Sequence, residues 1–269
     1  MKVKIATWNI NSVRLRMPLV ERFTAEFAPD ILCLQETKVR NSEFPENALR
    51  KLGYDHIAIN GQAGYHGVAT ASRLPFTETG AREFCGKGDA RHVSVTLDQG
   101  AAPVTLHNFY VPAGGDEPDR EVNDKFGHKL DFLTEMTSWF AEAGNGHAER
   151  MVLVGDLNIA PLETDVWSHK QLLKVVSHTP IEIEHLSDVR ASADWQDAVR
   201  THIPPDEKLY TWWSYRAKDW RAADKGRRLD HIWLTPALDG ACSKIDVVKD
   251  VRGWEKPSDH APILATLEI

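Results

Sequence analysis

The chain has 269 residues, 42% of them hydrophobic and 26% charged, with a formal net charge of −7. That length suits one large α/β domain or two small ones, and the composition is that of a globular chain rather than a disordered or fibrous one. No apolar run approaches the roughly 20 residues needed to span a bilayer, and the mild acidity neither favours nor excludes a polyanionic partner.

The N-terminus, Met-Lys-Val-Lys-Ile, enters a strand pattern directly, without the apolar stretch of a signal peptide. Val3 to Trp8 alternates apolar and polar residues and ends in Asn9-Ile10-Asn11, two amides two positions apart. Pro18 is expected to open a helix whose Leu19, Phe23 and Phe27 share one face. Ile31 to Leu34 reads as a strand buried on both faces, and it delivers Glu36 at its end. Tyr65 to Ser72, His92 to Leu97 and Val104 to Val111 read as further strands, the last carrying Asn108 and Tyr110 and stopped by Pro112. Asp116 to Asp124 is charged and loop-like. Phe126, Leu130, Leu133, Met136 and Phe140 mark a long amphipathic helix, closed by Gly144 to Gly146.

Met151 to Val154 is a strand with both faces buried. Gly155 is expected to break it, and Asp156 and Asn158 follow. Side chains two apart on an extended backbone point the same way, so a carboxylate and an amide should emerge together. Gly-Asp-x-Asn is also a turn sequence, because Asp and Asn bond their own backbone. Recurrence of the same pattern at other strand ends favours a site. Leu162 to His202 reads as mixed helix and loop. Tyr210 to Tyr215 is densely aromatic and runs into six basic residues between Arg216 and Arg228. Leu229 to Leu234 is a strand with Asp230-His231, and Ser258-Asp259-His260 precedes the closing strand Ile263 to Ile269. Without a visible linker or repeat, a single α/β domain spanning residues 1–269, with about a dozen short strands, is expected. Cys33, Cys85 and Cys242 are odd in number, scattered and without metal spacing, as in a reduced cytosolic protein. Nothing demands an obligate interface, so a monomer with no membrane partner is expected.

Buried charges need a metal, hydrogen bonds or chemistry to offset desolvation. Collected at the apolar strand ends are Asn9, Asn11, Glu36, Asp156, Asn158, Asp230, Asp259 and His260. Glu36 with an oxygen-bearing neighbour suits a hard cation, Mg²⁺ or Mn²⁺. Asp156 could orient or deprotonate a water, and Asn158 could hold it or donate to an anionic oxygen. A carboxylate on one ring nitrogen would keep His260 cationic. Metal, imidazolium and amide donors together suit phosphoester hydrolysis. The aromatic and basic stretch, with Arg14, Arg16, Lys38 and Arg40, fits a nucleic-acid backbone beside a stacking surface.

At this point the sequence resembles the exonuclease III family of abasic-site endonucleases, essentially end to end. The resemblance rests on Thr-Trp-Asn-Ile-Asn-Ser-Val-Arg (7–14), Leu-Gln-Glu-Thr-Lys (34–38), Tyr-His-Gly-Val-Ala (65–69), Asn-Phe-Tyr-Val-Pro (108–112), Gly-Asp-Leu-Asn-Ile-Ala (155–160), Thr-Trp-Trp-Ser-Tyr-Arg (211–216), Gly-Arg-Arg-Leu-Asp-His (226–231) and Ser-Asp-His-Ala-Pro (258–262). It implies a four-layer α/β sandwich, two packed mixed sheets flanked by helices, as in pancreatic deoxyribonuclease. It also implies a Mg²⁺-dependent cut of duplex DNA 5′ to an abasic site, leaving a 3′-hydroxyl, together with trimming of 3′ ends. Carried over motif by motif, Glu36 is the principal metal ligand, with Asn11 and Asp259 beside it and Asn9, Asp156 and Asn158 as further candidate ligands. Tyr110, Asp156, Asn158, Asp230 and His260 form the catalytic set. Asn9, Trp212, Leu229, Arg216, Arg227 and Arg228 are expected to meet substrate, with Trp212 and Leu229 walling the pocket for a flipped-out sugar.

Three positions depart from the family pattern. Ala113 follows Tyr-Val-Pro where relatives often carry a phosphate-contacting amide. Arg227 stands where some relatives have a pocket tryptophan, and Asn11 is an amide where certain members have Asp. The competing readings are an exonuclease-dominant member, a phosphoesterase on a small or lipid substrate, and a DNA-binding member without chemistry. The aromatic-basic stretch speaks against the small substrate, and the complete catalytic set against loss of chemistry.

Overall fold

The structure, a computed structural model, describes residues 1–98, 102–142 and 149–269. Its first sheet has six strands: β1 (Lys2–Asn9), β2 (Ile31–Gln35), β3 (His56–Asn60), β4 (Val68–Ser72), β13 (Cys242–Val247) and β14 (Ile263–Glu268). They lie in the order β13-β14-β1-β2-β4-β3. The second sheet holds β5 (Glu78–Gly80), β6 (His92–Leu97), β7 (Val104–Tyr110), β8 (Met151–Asp156), β9 (Gln196–Asp197) and β12 (Asp230–Leu234). Its order is β5-β6-β7-β8-β12-β9. A short ribbon of β10 (Trp212–Trp213) and β11 (Gly226–Arg227) stands apart.

Each sheet is antiparallel except for one central parallel pair, β1 with β2 and β7 with β8. Each pair is joined through a helix, Val13–Phe27 in one half and Asp124–Glu142 in the other. The two halves therefore share a plan that no sequence repeat betrays. Parallel neighbours joined by a crossover helix have both faces covered, and the residues obey. On β1, Val3 and Ile5 pack between the sheets, against Val95, Leu106 and Val154 among others. Ala6 and Trp8 turn the other way, onto Val20 and Phe23 of the first helix. On the far side Phe109, Leu153 and Trp233 meet Phe132, Met136 and Leu186 from the helices Asp124–Glu142 and Pro180–Ser192. The result is helix, sheet, sheet, helix.

A polar staple joins the sheets. The Gln35 amide donates to Asn108 Oδ1 (2.7 Å), and Asn108 Nδ2 donates to the Ala69 carbonyl (3.0 Å). Both side chains are fully buried, so their mutual pairing is what makes that burial tolerable.

Several boundaries differ from expectation. The first helix begins at Val13, and Pro18 sits inside it just past a kink at Arg16. The missing N–H and the ring clash of proline are absorbed by that kink. Strand β4 begins only at Val68, because His66 and Gly67 take left-handed conformations and Tyr65 is exposed. Gly155 does not break β8, which runs to Asp156. It sits at φ 139°, where an added Cβ would lie 2.0 Å from the Phe109 carbonyl oxygen, so only glycine fits. The expected glycine stop at 144–146 lies outside the described residues. Strands β3, β5, β9 and β13 were not anticipated. They are peripheral, short or poorly alternating, so burial left little pattern in them.

Candidate active site

Both central parallel pairs end at the same edge of the sandwich, where Asn9 and Gln35 stand beside Tyr110 and Asp156. Ligands bind outside the carboxyl ends of parallel strands, where the chain must leave the sheet. Here it leaves by left-handed turns, with Asn11 at φ 47°, Glu36 at 50° and Asn158 at 55°. These departures overturn the expectation that Asn11 and Asn158 continue an extended strand. Instead the Asn11 N–H donates to Asn9 Oδ1, and the Asn158 N–H to Asp156 Oδ1, each at 3.0 Å. The turn reading and the site reading are thus both true. Non-glycine residues held at positive φ collect at functional sites.

A chain of polar contacts runs through the centre. Asn9 Nδ2 donates to Glu36 Oε1 (2.9 Å) and to Asp156 Oδ2 (2.8 Å), bridging the two sheets. Asp156 Oδ2 faces His260 Nε2 at 3.6 Å, and His260 Nδ1 bonds Asp230 Oδ2 at 2.8 Å. Thr211 Oγ1 donates to the same Asp230 oxygen (2.6 Å). Burial alone would depress the His260 imidazole, but the charges of Asp230 and Asp156 push it up to about 10. Burial raises Asp156 to about 7, opposed by the His260 charge and the Asn9 bond. Burial also disfavours ionised Glu36, yet Lys38 and Asn9 outweigh it and keep the carboxyl below its ordinary value. The Tyr110 phenol is held protonated, well above its usual range, by burial and by the Glu36 and Asp156 carboxylates.

Glu36 and Asn11 offer oxygens to one point. Lys38 Nζ lies 2.7 Å from Glu36 Oε2 and 2.5 Å from Asn11 Oδ1, a cation already set between the two. Asp259 is adjacent, its Oδ1 accepting from Asn11 Nδ2 (3.0 Å) and its Oδ2 from the Trp212 indole (2.9 Å). An all-oxygen set of this kind fits a hard divalent cation. Asp156, Asp230 and His260 also bring ligand-capable atoms within 4.8 Å of one another. His260 stands there as a cation between the two carboxylates, hydrogen-bonded to Asp230 and in ionic contact with Asp156, so that group reads as a charge relay.

A cavity of about 550 Å³ opens above these groups, lined by Glu36, Tyr110, Asp156, Asn158, Asp259 and His260 on its floor. Trp212, Leu229, Arg216 and Arg227 form part of its walls. Arg227 is pinned, Nη1 donating to the Val176 carbonyl (2.8 Å) and to Ser177 Oγ (2.7 Å), with its guanidinium 5.3 Å from the Trp212 ring centre.

Two expectations for substrate contact need correcting. Arg228 is fully buried and turned away, with Nη2 on both Asp197 oxygens at 2.7 and 2.6 Å. It is a structural cation of the second sheet. Asn9 is likewise fully buried, and its amide donates to Glu36 and Asp156, so it orients carboxylates rather than meeting substrate. Residues 167 and 175–177 also wall the cavity, through Trp167, Val175, Val176 and Ser177. They come from the mixed segment that carries no periodic signal, and nothing in the sequence marks them.

Residues 6–260 match the model of the Endonuclease/Exonuclease/phosphatase family, and the chain belongs to that family. It is 29% identical over 274 residues to exodeoxyribonuclease III of Haemophilus influenzae, covering 98% of this chain and 99% of that protein. An AP endonuclease from Archaeoglobus fulgidus superposes with a TM-score of 0.89 at 31% identity, covering 99% and 100% of the two chains. A 3′ phosphatase from Neisseria, solved with product DNA hairpin, gives 0.89 at 29% identity, with the same coverage.

Proposed function

We propose that this chain is a Mg²⁺-dependent DNA-repair phosphodiesterase, with Mn²⁺ as the second candidate metal. It cuts duplex DNA 5′ to abasic sites to leave a 3′-hydroxyl, and it removes nucleotides or blocking groups from 3′ ends. It acts as a single domain and a monomer. The exodeoxyribonuclease III, AP endonuclease and 3′ phosphatase relatives support the reaction class. The observation that carries it is the polar chain Glu36–Asn9–Asp156–His260–Asp230 beneath a cavity walled by Trp212, Arg216 and Arg227. A cytoplasmic location is consistent with three free cysteines. No helix among the described residues is long and apolar enough to cross a membrane.

All three activities break the same P–O3′ bond. Glu36 and Asn11, with Asp259 beside them, would hold the cation, which when bound supplies Lewis acidity and offsets the carboxylates. The chain's own groups do the rest. Asp156, raised towards neutrality, takes the proton of the attacking water. Protonated His260 donates to a phosphoryl oxygen as charge develops, and the Tyr110 hydroxyl gives its proton to the departing O3′ and regains one from solvent. Asn158 Nδ2 spends one hydrogen on the Val111 carbonyl (2.9 Å) and keeps the other for water or phosphate. Asp230 fixes the imidazole ring.

The test uses two end-labelled duplexes, one with a central tetrahydrofuran abasic analogue and one intact with a recessed 3′ end, each with Mg²⁺ or EDTA. A single Mg²⁺-dependent product at the analogue establishes the proposal. A second reading, exonuclease dominance, is favoured by Arg227, whose pinned guanidinium fills the wall where an abasic sugar would lodge. It predicts a 3′ ladder without preference for the analogue. No cleavage of either duplex would leave the small-phosphoester alternative.

A further inference from the structure

Lys129 and Glu182 are both fully buried and share a 2.5 Å contact between Lys129 Nζ and Glu182 Oε1. Stability does not require such a pair, since apolar side chains of similar volume often serve as well in a protein interior. Lys129 does something an apolar side chain cannot. Its ammonium donates to the Asn158 carbonyl at 2.8 Å and lies 3.4 Å from the Ala113 carbonyl. It thereby pins left-handed Asn158, two residues after Asp156, and the start of the loop that forms the cavity lip at Ala113 and Gly115. Gly114 packs against the same side chain, where a Cβ would sit 3.0 Å from Lys129 Cδ. Glu182 holds the opposite wall, accepting from Ser177 N–H (2.9 Å) and Thr179 N–H (3.1 Å). Ser177 Oγ in turn accepts from Arg227.

We infer that Lys129 is a positioning residue for the phosphodiesterase reaction. It fixes the main chain of Asn158, and Glu182 is the counter-charge that allows an ammonium to be buried there. The inference rests on the reading that Asn158 acts at the site. The two roles separate cleanly. Glu182→Gln withdraws the counter-charge, so Lys129 stays buried as a neutral amine that still has a hydrogen for the Asn158 carbonyl, whereas Lys129→Met/Glu182→Gln removes the donor and leaves no charge at that place.

The experiment measures thermal midpoint, kcat and KM on the abasic-analogue duplex for both variants and for Asn158→Ala. Glu182→Gln should lose midpoint and keep more kcat than the double variant. The double variant should recover midpoint but lose kcat by about 10²-fold with KM little changed, because small misplacements at a reacting centre are that expensive. If kcat simply follows the midpoint in both variants, Lys129 is only structural and the inference fails. If Asn158→Ala is inactive while the folded double variant turns over normally, positioning alone is wrong. Full activity of Asn158→Ala would instead overturn the site reading beneath it.

Discussion

Arg227 and Arg228 are neighbours in a basic run, yet the fold gives them opposite work, and that contrast is measurable. Arg228 is fully buried between Asp197, at 2.6 and 2.7 Å, and Asp165, at 3.7 Å. Asp165 keeps Arg200 at 2.6 Å, so Arg228→Met chiefly strands Asp197, which among the described residues retains its capping bonds to Val199 N–H (3.1 Å) and Arg200 N–H (3.2 Å). Removing one partner of a buried pair costs about 3–5 kcal/mol. For a chain of this size that lowers the thermal midpoint by roughly 10 °C. The salt dependence of duplex binding should not move, because no phosphate contact is lost. Arg216 is the control: it is exposed and lines the cavity. Arg216→Ala should leave the midpoint in place and reduce the slope of log K against log salt by about 1. Calorimetry and a salt titration on the same duplex decide it. A flattened salt slope in Arg228→Met with an unchanged midpoint would refute the structural assignment.

Asp230→Asn keeps the side-chain shape but removes the charge beside His260 Nδ1, so kcat should fall by about 10²–10⁴-fold, as when a histidine loses its orienting carboxylate. An unchanged kcat would deny that relay. Glu36→Gln should raise the Mg²⁺ concentration for half-maximal activity by at least about tenfold, since a carboxylate oxygen is exchanged for a neutral amide. Buried His107 is held neutral, its value lowered to about 4. Because that lies below the unfolded value of 6.5, its contribution is whole above about pH 6.5 and lost as pH falls towards 4. His107→Gln should therefore shrink the stability difference between pH 7 and pH 4.5 by about 2.5 kcal/mol in urea melts, and an unaltered acid limb would contradict it.

What the sequence revealed follows from what leaves a local trace. A strand buried on both faces must be continuously apolar, so Ile31–Leu34 and Met151–Val154 were legible, and with them the polar residues at their ends. Glu36, Asp156 and His260 stood out as candidates for the same reason: a charge beside such a run needs an explanation. Side-chain direction was not legible. Period-two reasoning assumed an extended backbone at Asn11 and Asn158, and positive φ at both overturned it. Nor could charge alone separate Arg216 and Arg227 from Arg228, because solvent and a distant Asp197 are indistinguishable in a one-dimensional pattern. Lys129 and Glu182 were invisible for a related reason. Each sits on the buried side of its helix, 53 residues apart, where only the closing of the sandwich brings them together. The candidate site residues were therefore readable at strand ends, while those that hold them in place depend on contacts that exist only after the sheets have packed.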